Sequence, residues 1–129
     1  MRNESNNGRL APCPHRPNCV SSMDTDQRHY IAPIVYTANK AVAIETIERV
    51  VKGIDGSRIV ARSPTRMQVE FRSKWMGFVD DAIFYFPDAG VIHVRSAART
   101  GYTDFGVNRK RIEKIRARFH QRLPRSSDT

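Results

Sequence analysis

The strongest constraint on this chain is a run of alternating residues followed by a tight hairpin. From Arg66 to Arg72, the apolar residues Met67, Val69 and Phe71 alternate with Arg66, Gln68, Glu70 and Arg72. A period of two puts the apolar set on one face and the polar set on the other, which defines a half-buried strand. Phe78 to Phe86 and Val91 to Ala98 are further strand-like runs, separated by Pro87, Asp88, Ala89 and Gly90. A short spacer with Pro and Gly turns the chain back on itself, so these two runs form a hairpin. Arg58 to Arg62 is another strand, turned into the next by Ser63, Pro64 and Thr65. Ile34 to Tyr36 is a short strand ahead of them.

Two segments break this period. From Asn39 to Lys52, Ala43, Ile47, Val50 and Ile54 recur at three- and four-residue spacing, widened by Ala41, Ile44 and Val51. That stripe is the buried face of a helix. Thr37 or Asn39 serves as its N-cap, and Gly53 and Gly56 stop it. A second helix carries Ile112, Ile115, Phe119 and Leu123 as a narrow seam and stops at Pro124. Asn108 is its expected N-cap, with Val107 and Ile112 as a hydrophobic staple. The order strand, helix, strands, helix is α+β: an antiparallel meander of four to five strands with two packed helices. At 129 residues the chain has room for one domain and one modest core. The expected division is a polar tail over 1–9, the domain over 10–123, and a polar tail over 124–129. No run approaches the roughly 18 apolar residues of a membrane-spanning helix.

The hairpin register points to a polar cluster. A four-residue turn sets Phe86 opposite Val91, Phe84 opposite His93, Asp81 opposite Ser96 and Asp80 opposite Ala97. Diagonal neighbours share a face, so this register places Asp80 between Arg95 and Arg99. The loop after the sheet adds Tyr102 and Asp104, and the last helix begins with Asn108 and Arg109. Its amide-rich end faces the same region. Two readings compete for Asp80, Asp81, Arg95, Ser96, Arg99, Tyr102, Asp104, Asn108 and Arg109. In one, the arginines grip a carboxylate or phosphate by forked hydrogen bonds. In the other, matched acids and bases satisfy each other and pin sheet to helix.

No catalytic set stands out. Asp80 and Asp81 are strand neighbours and point to opposite faces, and Ser96 has no evident histidine base. No Gly-rich phosphate-cradling motif is present, and no cofactor is assigned. Three functions follow. The first is a small binding or accessory domain for a small anion or a partner's carboxylate. The second is an enzyme using Asp80 or Asp104 as base beside the arginines. The third uses the terminal helix, where Lys110, Lys114, Arg118 and Arg122 share one face, to bind anionic membrane or nucleic acid. The formal net charge is +9, and Arg109 to Arg125 holds eight basic residues against one acid, Glu113. Such a segment attracts polyanions, or is simply a solvated helix face. The aromatics lie mostly in strands without an exposed stacking row, which weighs against nucleic acid.

Cys13 and Cys19 lie among Pro12, Pro14 and Pro17. A disulfide, two free thiols and a zinc site with His15 and His29 are all open readings. The spacing departs from the usual pairs of zinc cysteines, and no metal is assigned. His29 and His120 read as ordinary polar-face residues. No apolar stretch follows the first Arg, so no export signal is visible and the cytoplasm is expected on that ground.

Three segments carry a family resemblance. They are Pro12-Cys13-Pro14-His15-Arg16-Pro17-Asn18-Cys19-Val20-Ser21-Ser22, then Gly77-Phe78-Val79-Asp80-Asp81-Ala82, and the stretch from Val94 through Asp104 to Arg109 with the helix after it. In this order, over residues 10 to 123, they resemble the domain of unknown function 1499 (DUF1499) proteins. That resemblance brings no established reaction. It implies a bacterial protein with relatives in plastids, and a periplasmic or membrane-associated location, from which this chain departs by lacking a visible signal segment.

Overall fold

A computed structural model describes residues 9–74, 77–88 and 90–124. The tail residues 1–8 and 125–129, and Trp75 of the connection after Arg72, lie outside the described residues. The elements run β1 (Cys19–Ser21), β2 (Ile34–Val35), α1 (Lys40–Lys52), β3 (Ser57–Arg62), β4 (Arg66–Arg72), β5 (Val79–Tyr85), β6 (Val91–Ala98) and α2 (Val107–Arg122). The strands lie in the order β1-β6-β5-β4-β3, with β2 also paired to β6, and every pairing is antiparallel. This is the α+β meander with two helices. Its sixth strand, β1, comes from the Pro- and Ser-rich leader, where no alternation marks it.

The core follows from the period of each element. Met67, Val69 and Phe71 of β4 join Ala82 and Phe84 of β5 and Ile92 and Val94 of β6 on one face. Ala43, Ile47, Val50 and Val51 of α1 and Ile112, Ile115 and Phe119 of α2 cover that face. The Asn39 side chain caps α1 by accepting from Val42 N at 2.8 Å, and Gly53 ends the helix. Just beyond, Gly56 has φ +82° and accepts from Arg72 N at 2.9 Å. That contact brings the backbone entering β3 against the end of β4.

The hairpin register differs from expectation by one residue. Tyr85, not Phe84, lies opposite His93; Asp81 lies opposite Ala97 and Asp80 opposite Ala98. The reason is that β5 carries two apolar faces. Val79, Ile83 and Tyr85 alternate with Ala82, Phe84 and Phe86, so either set can be read as the buried one. The observed pairing aligns Phe84 with Val94, both at 0% exposure, beneath the helices. Gly90, just ahead of β6, takes a left-handed backbone with φ +96°.

Three other expectations are corrected. The N-cap of α2 is Gly106, not Asn108, and the helix starts at Val107. Val107 is 44% exposed, which leaves no hydrophobic staple. Capping falls to Asp104, whose carboxylate accepts from Gly106 N and Asn108 N at 2.8 and 3.0 Å. His29 is buried rather than surface-facing, with Nδ1 3.0 Å from the Cys19 carbonyl oxygen.

Cys13 and Cys19 are joined in a disulfide with Cα atoms 5.7 Å apart. Closing a loop this short is worth about 2 kcal/mol by chain entropy, less whatever stiffness the three prolines already give the unfolded chain. The double variant Cys13→Ser/Cys19→Ser is therefore expected to lose about 1–2 kcal/mol in urea unfolding. A variant as stable as the parent would show that the bond constrains nothing the prolines have left free.

Candidate functional site

The shift in register splits the expected cluster across the two faces of the sheet. Asp80, Ser96 and Asn108 lie on the helix-covered face, and Asp81, Arg95 and Arg99 on the other. Asp80 therefore does not sit between Arg95 and Arg99. Asp81 does.

On the helix side the polar groups form one connected network. Ser96 Oγ donates to Asn108 Oδ1, and both residues are fully buried. Arg111 Nη1 donates to Asp80 Oδ2 at 2.8 Å and to Asn108 Oδ1 at 3.2 Å. Asn108 Nδ2 donates to Asp104 Oδ2 at 2.8 Å. The Arg111 guanidinium also stacks over the Phe71 ring, 4.7 Å from its centroid. The positive end of α2 thus already has a carboxylate, that of Asp104, against its amides.

On the open side Arg99 holds Asp81 by a fork, Nε to Oδ2 at 3.0 Å and Nη2 to Oδ1 at 2.7 Å. Nη2 also reaches Glu70 Oε2 at 3.0 Å. The hydrogen bonds that Arg99 donates to these two acids hold its guanidinium above the ordinary pKa. Arg95 is different. Its Nε and Nη2 donate to the carbonyl oxygens of Ala11 and Pro12, at 2.9 and 3.3 Å. Burial pushes its pKa down, opposed by the nearby charges of Asp24 and Asp81. The two arginines, with Asp81, Glu70 and Val60, line a depression of about 390 Å³.

The remaining expected residues stand apart from both groups. Tyr102 is 67% exposed beside the disulfide loop, in a hollow it shares with Arg16 and Arg28. Arg109 donates to the Tyr30 and Arg28 carbonyl oxygens at 2.8 and 3.3 Å. Two residues of the networks escaped the sequence reading. Arg111 lies one helical turn after Asn108, a spacing that could have found it. Glu70 lies opposite Asp81, which required the β4–β5 register as well. Among the described residues no group of His, Cys, Asp and Glu is arranged to hold a metal, and no helix is long and apolar enough to cross a membrane.

Comparison with curated proteins and with solved structures gives no match. The family model described as "Protein of unknown function (DUF1499)" matches residues 9–119. Most of the chain lies within that match, and the chain belongs to this family.

Proposed function

We propose that this domain is a binding module, and that it takes a small anion or a partner's carboxylate on the open face of the sheet between Arg95 and Arg99. The observation that carries the reading is the state of Arg95. Its hydrogen bonds go to two neutral carbonyl oxygens, its charge is partly desolvated, and it borders the depression. A carboxylate or phosphate entering there would give that cation a contacting counter-charge. Arg99, across from it, would be shared with the ligand or released from Glu70. Asp81 fixes the plane of the Arg99 guanidinium.

Thermal unfolding with succinate and with inorganic phosphate tests this. The midpoint is expected to rise by about 2–4 °C at saturating anion. The rise should vanish in Arg99→Ala and survive in Lys114→Ala, which alters an exposed lysine of α2. Equal shifts in all three proteins would sink the reading, as would no shift in the parent.

A further inference from the structure

A second opening lies at the end of the sheet, independent of the Arg95 depression. It encloses about 280 Å³ where β5, the loop after β6 and the start of α2 meet. Its rim is apolar: Phe78 is 57% exposed, Phe105 85% and Val107 44%. Among the described residues Phe105 is the non-glycine residue with a positive φ, +54°. An apolar ring held out in water, on a backbone conformation that disfavours side chains, does nothing for folding. Asp80 and Arg111 also line the cleft, with side-chain exposures of 11% and 15%. Both are far less exposed than the rim residues.

The chemistry of this floor selects a ligand class. Both hydrogen bonds of Arg111 leave from Nη1, and Asp80 accepts through Oδ2. Among the described residues Asp80 Oδ1 and Arg111 Nη2 make no hydrogen bond, and both residues line the cleft. The floor thus offers one acceptor beside donors and carries no net charge. A carboxylate would meet Asp80, and an ammonium would meet Arg111. An uncharged amide matches both, with its N–H toward Asp80 and its C=O toward Arg111.

We propose that this cleft binds a small amphipath whose apolar group lies between Phe78 and Phe105 and whose neutral amide head pairs with Asp80 and Arg111. Amide-resolved NMR titration of the full chain with octanamide, octanoate and octylammonium tests it. Octanamide is expected to give saturable shifts at residues 98–107 and to bind about fivefold or more tightly than the two charged analogues. Phe105→Ser, which alters an exposed ring and leaves the core untouched, should weaken octanamide by about fivefold. The proposal is overturned by the absence of saturable shifts, by equal response to the three heads, or by unchanged binding in Phe105→Ser. It is overturned in favour of a lipid surface if phosphatidylglycerol vesicles bind the parent and not Phe105→Ser while octanamide shifts nothing.

Discussion

Arg111→Met is expected to lower stability by about 3–4 kcal/mol, because it leaves the Asp80 carboxylate nearly buried without its cation. Methionine keeps most of the length and the apolar contact with the Phe71 ring, so the loss reports charge and hydrogen bonding more than volume. Asn108 Oδ1 loses one donor as well, although Ser96 still serves it. The decisive comparison is the double variant Asp80→Leu/Arg111→Met. Removing both charges removes the stranded carboxylate, and the double variant is expected to recover more than half of the loss. Urea unfolding of the parent, Arg111→Met and the double variant measures this. A loss under about 1 kcal/mol in Arg111→Met would place the pair with solvent-screened surface bridges and contradict its burial.

Gly56→Ala should be nearly as damaging, at about 3 kcal/mol, for a backbone reason. A Cβ built there falls 2.2 Å from the Arg72 carbonyl oxygen, on a backbone with φ +82°. Strain in the left-handed region alone is of order 1–3 kcal/mol, and relieving the overlap would stretch the bond from Arg72 N to Gly56 O. Gly53→Ala is the matched control. Gly53 has φ −81°, and its nearest Cβ neighbour, the Val50 carbonyl oxygen, lies at an ordinary 3.5 Å. That change is expected to stay within about 0.5 kcal/mol of the parent. Equal stabilities for the two variants in thermal or urea unfolding would show that the β3–β4 entry relaxes freely.

These two sites mark where local pattern stopped determining the structure. The alternation of β4, the stripe and Asn39 cap of α1 and the seam of α2 are properties of single segments, and each could be read from the chain. Register is a property of two segments at once. With apolar residues on both faces of β5, the sequence held two nearly equivalent solutions, and the helices packed on one face chose between them. That choice moved Asp80 and Asp81 to opposite sides. Of the residues named for the cluster, Asp80, Ser96, Asp104 and Asn108 join Arg111 in one network and Asp81 and Arg99 join Glu70 in another, while Tyr102 and Arg109 stand apart. Asp81, not Asp80, faces the arginines. The strand β1 and the burial of His29 depend on where the leader docks, and nothing periodic in residues 10–33 records that.

The basic character of α2 has a consequence for how the molecule responds to its medium. Arg109 and Arg116 donate to the backbone carbonyl oxygens of Arg28, Tyr30, Ala32 and Pro33, fastening the segment before α1 to the helix. These are contacts between an ion and a dipole at bonding distance, and counterions screen such contacts far less than they screen pairs of separated, exposed ions. Rising ionic strength therefore weakens the exposed bridges of the molecule first, such as Arg49 with Glu45. The strapped segment stays attached to α2 in brine that has already silenced those bridges.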